Sequence, residues 1–340
     1  MVTITDVSRR AGVSRSTVSR VVAGNGYVSE ANRKAIETAI ADLGYRPNIL
    51  AQALRSNRSN VIGAVFVDVG TAYFANMIYG VQRAIRPAGK ALMVSSGYAD
   101  QDEEARAIIE LIDRSCDGII LYLERPMRTD VVEMLRRSNI PVVSIGHKPS
   151  PASRGQVILD NFGGARAAMR HLLEQGHRKI VHLSGQADYG DTIARRDGMA
   201  AALAEYGMEM DDLHIVGGEF HQDFGYRATL DLIDEKRDVT AIFAGDDDIA
   251  AGVLVALRER GIRVPEDVSV IGFDDAFHAK HMWPPLTSVR QSMDAIGEAA
   301  AGLLLDLLAR PDSGPLRSII DTELVVRSSV AAPAMMREDA

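Results

Sequence analysis

VSRSTVSRVVAGN, residues 13–25, sets three serines, a threonine and two arginines among four valines. The stretch is too polar for a core strand and too regular for a loop. A helix answers the spacing. Started after Ser14 and stepped by about 100° per residue, it gathers Arg15, Ser19, Ser16 and Arg20 within one arc of about 140°. Val18, Val21 and Val22 fall outside that arc. Ser14 can accept a bond from an orphan amide of the first turn, and Gly24 and Asn25 supply the left-handed conformations that stop a helix. The product is a short amphipathic helix with donors and positive charge on its outer face. Spacing alone leaves open whether that face meets solvent or a partner.

The flanking sequence builds two more helices. Thr3 can cap one that runs to about Ala11, with Gly12 at the turn. Ser29 can cap EANRKAIETAIADLGY, in which Ile36, Ala39, Ile40 and Leu43 keep helical spacing; Gly44 ends it and Pro47 prevents resumption. Two short helices joined by a tight glycine turn form a helix-turn-helix, whose second helix enters the major groove of DNA. Charge agrees. Residues 1–60 hold nine Lys/Arg against four Asp/Glu, and the remaining 280 hold 29 against 42. A basic head on an acidic body is the footprint of a nucleic-acid arm, concealed by the overall charge of −8. In PNILAQALRSNRSN, residues 47–60, Asn48 to Arg55 can make two turns of helix before a polar linker, a length unstable in isolation.

Beyond Val61 the texture changes. VIGAVFV, KALMVSS, DGIILYL and PVVSIG, then KIVHLSG, LHIVGG, VTAIFAG and VSVIGF, read as strands in two sets of about four. Helices such as DQDEEARAIIELIDRS and DDDIAAGVLVALRERG lie between them. Such alternation implies parallel sheets with helices on both faces, here as two similar lobes with a cleft beyond their strand ends. The expected fold is an all-α helix-turn-helix head followed by an α/β body of two doubly wound parallel-sheet lobes. No apolar run reaches the ~18 residues of a membrane span, so no membrane partner is expected. The opening MVTITDVSRRAG has no signal-peptide core, and one cysteine, Cys116, excludes an internal disulfide and a zinc constellation. Together these lead to the expectation of a cytoplasmic protein without cofactor.

The chain resembles LacI/GalR-type bacterial repressors. TITDVSRRAGVSRSTVSRVVAGNGYVSE and LGYRPNILAQALRS resemble the family's head and hinge. YFANMIYGVQ, GHRKIVHLSG, RRDGMAAAL, AGDDDIAAG, VPEDVSVIGFDD and WPPLTSVRQ recur in its order, so the resemblance covers residues 2–328. It implies a helix-turn-helix domain at 1–46, a hinge at 47–60, and an effector-binding and dimerisation domain at 61–340 with the architecture of periplasmic binding proteins. The near lobe would comprise about 61–160 plus 291–320, and the far lobe 161–288 plus 321–330.

For DNA, the resemblance implies that Arg15 and Ser16 read bases and that Arg20 reaches a base farther along the groove. The chemistry agrees, because Arg is the best bidentate partner of guanine. Ser14, Thr17 and Ser19 suit phosphates, with Asn25, Ser29 and Asn48 as further phosphate candidates and Thr3 as a further DNA contact. Leu54 matches the leucine that wedges into the minor groove. For the effector, the matching positions are Tyr73, Phe74, Arg195, Phe220 and Asp274, with Asp246 where an asparagine is common. Gly146 stands where relatives often carry Asp, and His147 follows it. A guanidinium, carboxylates and aromatic walls suit a neutral sugar or glycoside. VGTAYFANMI resembles purine-responsive members, which makes a purine the alternative. The implied partners are operator DNA, a small effector and a second copy of the chain, with a tetramer less favoured because AAPAMMREDA lacks leucine heptads.

Two other classes fit less of the chain. Asp246, Asp247 and Asp248 could hold Mg²⁺ for phosphoryl transfer, but no P-loop and no Gly-x-Ser-x-Gly elbow accompanies them. Cys116 has no neighbouring His and reads as a small buried hydrophobe. His171, His177 and His182 lack metal spacing and read as helix-end or surface residues. A transport-type binding protein matches the body alone and leaves the basic head unexplained.

Overall fold

The computed structural model describes residues 2–24, 26–46, 58–146 and 150–334. Asn25, Asn48, Leu54 and His147, with the whole of residues 47–57, lie outside the described residues. The chain forms two compact units, divided at Asn60 and Val61.

Three helices make the first unit: α1 (Ile4–Ala11), α2 (Arg15–Ala23) and α3 (Glu30–Leu43). Local chemistry sets each end. Thr3 and Asp6 form a capping box on α1, and the Ser14 hydroxyl accepts from the Thr17 amide at 3.1 Å on α2. Such side-chain caps satisfy amides that the first turn leaves without partners. Gly12, Gly24 and Gly44 close the three helices in the left-handed region, which glycine enters without steric cost. Ser29 departs from expectation: it is the N-cap residue of α3, yet its side chain makes no cap bond. Val7, Val18, Ile36 and Ala39 form the core, with Val21, Val22, Ile40 and Leu43 packed around it. Arg10 adds an ion pair from α1 to Asp42 of α3 at 2.7 Å.

The second unit holds two six-stranded sheets. The first contains β1 (Val61–Phe66), β2 (Ala91–Ser96), β3 (Gly118–Tyr122), β4 (Val142–Ile145), β5 (Gly155–Leu159) and β11 (Leu316–Ile320). Its order is β11-β5-β4-β3-β1-β2, parallel throughout. The second contains β6 (Ile180–Ser184), β7 (His214–Gly217), β8 (Ala241–Ala244), β9 (Ser269–Asp274), β10 (Thr287–Arg290) and β12 (Glu323–Val325). It runs β12-β10-β9-β8-β6-β7, with β12 antiparallel at its edge. The chain passes between the sheets after β5, after β10 and after β11.

Helices cover both faces of each sheet. In the first, α4 (Ala72–Ile85) and α11 (Met293–Ala309) cover Ile62, Ala64, Phe66, Ile120 and Val143. The opposite face packs Val65, Ile119 and Leu121 against α5 (Gln101–Asp113) and α6 (Thr129–Ser138). In the second, α7 (Asn161–Glu174) and α8 (Gly190–Glu205) cover Ala241, Phe243 and Ile271. Ile242, Ala244 and Val270 meet α9 (Gln222–Asp234) and α10 (Asp247–Glu259). Strands buried on both faces read as unbroken apolar runs, which is why β1, β3, β4, β6, β8 and β9 were legible, while β2 and β7 were legible although they lie at sheet edges.

Two expectations need correction. Each sheet has six strands rather than about four, because β5, β10, β11 and β12 carry no long apolar run. Thr287 and Ser288 of β10 are buried polar residues, and β11 alternates half-buried with exposed positions. Nor are His177 and His182 surface residues. His177 is buried between Thr240 and Ser269 at 3.0 and 3.1 Å. His182 is buried against the Phe243 carbonyl at 2.9 Å, and desolvation pushes its pKa down to about 4. Cys116 is buried and free. Among the described residues no helix is long and apolar enough to cross a membrane.

Glycines set how closely the helix pairs approach. A Cβ on Gly80 would run into the Asp294 carbonyl, and one on Gly297 into the Met77 carbonyl, so α4 and α11 touch backbone to backbone. Gly302, also on α11, has open space around it. Gly302→Ala gains up to about 1 kcal/mol of helix propensity. Gly297→Ala gains the same but forces two helices apart, at about 1–3 kcal/mol. The expected outcome in urea is a higher unfolding midpoint for Gly302→Ala and a lower one for Gly297→Ala.

Candidate functional site

The outer face of α2 is a candidate nucleic-acid interface. Arg15, Ser16 and Arg20 are exposed, while Val18 behind them is buried. Neither arginine forms an ion pair with a described residue. Ser14 sits between the Ser16 and Thr17 hydroxyls at 2.7 and 2.8 Å, and Ser19 is half-buried beside them. Thr3 is exposed, but its hydroxyl donates to Asp6 at 2.7 Å. That bond leads the causes that lower the Asp6 pKa. Ser29 is half-buried at the start of α3. The arrangement presents two free guanidiniums on a helix held by caps at both ends.

A second site lies in the other unit. A cleft of about 1080 Å³ opens beyond the carboxyl ends of the strands of both sheets, where parallel α/β folds place ligands. Six of the seven expected effector residues line it: Tyr73, Phe74, Arg195, Phe220, Asp246 and Asp274.

Arg195, on α8, is buried at the centre. It donates from Nε to Asn161 Oδ1 at 2.8 Å, from Nη1 to the Gly245 carbonyl at 2.6 Å, and from Nη2 to Asp274 Oδ1 at 3.1 Å. Its plane stacks 3.8 Å from the Phe273 centroid, and the Phe220 ring stands 5.7 Å away. Gln291 completes the network, its Nε2 donating to Asp274 Oδ1 at 3.0 Å. Buried Asn161 Nδ2 and Gln291 Oε1 find no partner. On the facing wall, Tyr122 donates to Asp191 Oδ2 at 2.6 Å, and the Tyr73 and Tyr122 hydroxyls lie 2.9 Å apart. The Tyr122–Asp191 bond joins β3 of the first sheet to α8 beside the second. Arg125 makes another such crossing, to Asp188 at 3.1 Å and Gln186 at 3.2 Å.

Burial governs the ionisation of these acids. Desolvation, then the Asp274 charge, pushes Asp246 up to about 8. Asp274 rises to about 6, desolvation outweighing the Arg195 charge that opposes it. Glu124 is also held above the ordinary carboxylate range, by desolvation first and Asp191 second. Asp246 has a further task that its expected role did not include: one carboxylate oxygen caps α10, accepting the Ile249 amide at 2.7 Å. Asp247 and Asp248 do not join it around a cation. Asp247 accepts from Ser288 at 2.6 Å and Ala276 at 2.7 Å, and Asp248 faces His278 at 3.3 Å. Among the described residues no group of three or more His, Cys, Asp or Glu could hold a metal ion. Asp275 is held between Arg290 and Arg327, at 2.8 and 2.6 Å.

Comparison with known proteins places both sites in one family. Residues 3–48 match the description "Bacterial regulatory proteins, lacI family", and residues 169–330 match a periplasmic binding protein-like domain. The transcriptional regulator CelR of Thermobifida fusca is 35% identical over 335 residues, 96% of this chain and 98% of that protein. GalR of Escherichia coli strain K12 is 33% identical over 336 residues, covering 98% and 97%. PurR of Erwinia tasmaniensis is 32% identical over 332 residues, covering 97% of each.

The chain belongs to the LacI family.

Solved structures of LacI-family proteins agree. A CelR–cellobiose complex is 35% identical with a TM-score of 0.73, covering 97% of this chain and 100% of that one. A Lac repressor dimer bound to operator and the anti-inducer ONPF is 26% identical with a TM-score of 0.87, covering 97% and 99%. The chain is therefore a DNA-binding transcriptional regulator and not an enzyme.

Sequence reading of this LacI-family cleft missed Tyr122, Glu124, Asn161, Asp191 and Gln291. Asp191 had a signal, since it lies one helical turn before Arg195 on the same face. Gln291 follows β10, a polar strand that was not recognised. Tyr122 reaches the cleft through the sheet order, and Asn161, just past the crossing between sheets, reaches Arg195 and Gln291.

The Asp246 shift generates a pH test with a definite sign. Unfolded, Asp246 ionises near 3.9; folded, near 8. Between these values the unfolded chain has released a proton that the fold retains, so stability falls as pH rises from about 4 to about 8 and then levels. Asp246→Asn keeps an oxygen for the Ile249 amide and cannot ionise beside Asp274, Asp248 and Arg195. Thermal unfolding is expected to show the variant gaining on the parent by up to about 3 kcal/mol between pH 5 and pH 7.5. A constant difference across that range refutes the buried, protonated Asp246.

Proposed function

We propose that the chain is a repressor of carbohydrate-utilisation genes that binds a palindromic operator as a homodimer and is controlled by a sugar or glycoside in the cleft. The observation that carries this reading is the cleft itself. It sets a buried Arg195–Asp274 pair among aromatic walls, and groups from both sheets line it. Hydroxyls of a sugar can bridge the carboxylates while a ring face packs on Tyr73, Phe74 or Phe220. CelR in complex with cellobiose and family members with bound ribose support a sugar. The PurR relatives supply the purine alternative.

In this reading Arg15 and Ser16 contact bases, Arg20 reaches a further base, and Ser14, Thr17, Ser19, Thr3 and Ser29 contact phosphates, as would Asn25 and Asn48. Leu54 serves as the minor-groove wedge and His147 adjoins the effector. The head is residues 1–46, the hinge 47–60 and the effector domain 61–340, acting in the cytoplasm on chromosomal DNA. An effector touching both walls biases how the lobes close, by its difference in affinity for the two arrangements. The coupling to DNA is reciprocal: operator must change effector affinity by the factor with which effector changes operator affinity.

Two measurements test this. Fluorescence anisotropy with a palindrome from the neighbouring intergenic DNA and with its scrambled form should show Arg15→Ala losing about 1–3 kcal/mol on the palindrome and little on the scrambled duplex. Ser14→Ala should weaken both alike. Equal losses for Arg15→Ala remove it from base reading. Calorimetry on the full chain with monosaccharides, β-disaccharides and nucleobases should give heat from a sugar; heat from hypoxanthine and from no sugar transfers the regulator to purines.

A further inference from the structure

Glu104, in the first turn of α5, is a buried acid that holds nothing. It is 2% exposed, and neither of its carboxyl oxygens has a hydrogen-bond partner. Gly97, just past β2, packs so closely on it that a Cβ there would overlap Glu104 Cγ. Desolvation pushes its pKa up to about 7, and the first influence opposing that rise is the charge of Arg125. A carboxyl buried without partners is costly. The cost is offset if the group gains a partner in a second arrangement of the same molecule.

Arg125 is placed to be that partner. Its guanidinium spans the two walls of the cleft. Nη1 donates to the Ala99 carbonyl on its own side at 3.0 Å, while Nε donates to Asp188 at 3.1 Å and Nη2 to Gln186 at 3.2 Å on the other. The Ala99 carbonyl belongs to a turn closed by the Asp100 amide on the Gly97 carbonyl at 2.9 Å, and Glu104 packs beneath that same turn. Tyr98 and Ala99 take left-handed backbone in it, at φ of 51° and 52°, which side-chain-bearing residues seldom adopt. The half of the grip that crosses the cleft is exchangeable, because the side chains of Arg125 and Asp188 are 36% and 60% exposed. A guanidinium released from Asp188 and Gln186 still has the Ala99 carbonyl as its pivot, with Glu104 under the turn it stands on.

We infer that Arg125 is a latch with two seats: it bridges to Asp188 and Gln186 when the lobes are closed, and it pairs with an ionised Glu104 when they part. The inference rests on the reading that the lobes move, not on which effector moves them. It gives that movement a sign in pH. In the bridged arrangement Glu104 keeps its proton up to about pH 7. Paired with Arg125 it ionises in the ordinary carboxylate range or below. Parting therefore releases a proton, and rising pH favours the parted lobes until about pH 7, above which Glu104 is ionised in both. The other ionisable groups acting on Glu104 or acted on by it are Asp100 at the start of its helix, Glu124 beside Arg125, and Tyr189 on the far wall. Backbone amides hold Asp100 below its ordinary range and desolvation holds Tyr189 above its own, so neither changes charge between pH 6 and pH 8. Glu124 accepts the Gly190 amide and is held high by desolvation, so substitution at Glu104 itself is what assigns the effect.

Single-molecule FRET on the ligand-free full chain tests it. Dyes are carried by Arg106→Cys on α5 and Asp223→Cys on α9, exposed positions outside the cleft lining, in a Cys116→Ala background. Labelled chain is diluted into an excess of unlabelled chain, so that each assembly carries one labelled copy. The expected result is two populations whose closed-to-parted ratio falls roughly fivefold or more from pH 6 to pH 8 in the parent. In Glu104→Gln the ratio should change less than about twofold over that range. Arg125→Gln should flatten the profile too, and the double variant should match the single ones, because both residues act through one contact. A merely structural Glu104 would leave the parent's slope in place. The parent's slope retained in either single variant overturns the latch while lobe movement stands. A single population unmoved by pH in the parent also overturns it, and leaves the effector reading to the calorimetry with sugars.

Discussion

The second unit is organised by one buried cation. Arg195 ties together segments that leave β5, β8 and β9: Asn161, just past the crossing from the first sheet; the Gly245 carbonyl; and Asp274. Desolvating a guanidinium costs several kcal/mol, which geometry and full hydrogen bonding must offset. Phe273 beneath the guanidinium and three directed acceptors supply that geometry. Removing Asp274 would leave the cation uncompensated, and removing Arg195 would leave Asp274 in the same position. The pair therefore sets where three strand ends stand relative to α8.

That arrangement explains why the cleft is both rigid and divided. Its floor is locked from the second sheet through Arg195. Its contacts with the first sheet are fewer and more exchangeable: Tyr122 with Asp191, and Arg125 with Asp188 and Gln186. Arg125 and Asp188 are partly exposed, so that ion pair contributes little, on the order of 1 kcal/mol or less. The Tyr122–Asp191 bond is buried and to a charged acceptor, which makes it the stronger of the two crossings. A ligand entering the cleft competes with or adds to contacts worth a few kcal/mol, the scale on which a two-state equilibrium can be moved by binding.

How much of this was legible follows from the range of the interactions. The head could be read almost to the residue, because caps, turns and apolar period act over three or four positions. Thr3, Ser14, Gly12, Gly24 and Gly44 all act on their own helix ends. Central strands were legible because both faces are covered. The strands at the crossings between sheets were not: Thr287 and Ser288 of β10 are buried polar residues, and β12 is three residues long. The buried state of His177 depends on Thr240 and Ser269, 63 and 92 residues away in sequence. No local pattern announces such partners. In the cleft, residue types were readable but allocation was not. Sequence could nominate Asp246 as an acceptor, but only the fold reveals that α10 takes one of its oxygens.

Allocation is what turns a familiar set of side chains into a particular specificity. Counting an arginine, several acids and three aromatics describes a site able to bind polyols in general. Counting which of their protons and lone pairs are already engaged describes what is missing from it. Here Arg195 gives three of its five N–H groups to protein oxygens, so it shapes the floor and keeps two N–H groups unassigned. Desolvation pushes Asp246 up to about 8, and pushes Asp274 up to about 6 against the opposing charge of Arg195. Selectivity in such a cleft comes less from which residues line it than from which of their bonding capacities the fold has left unused.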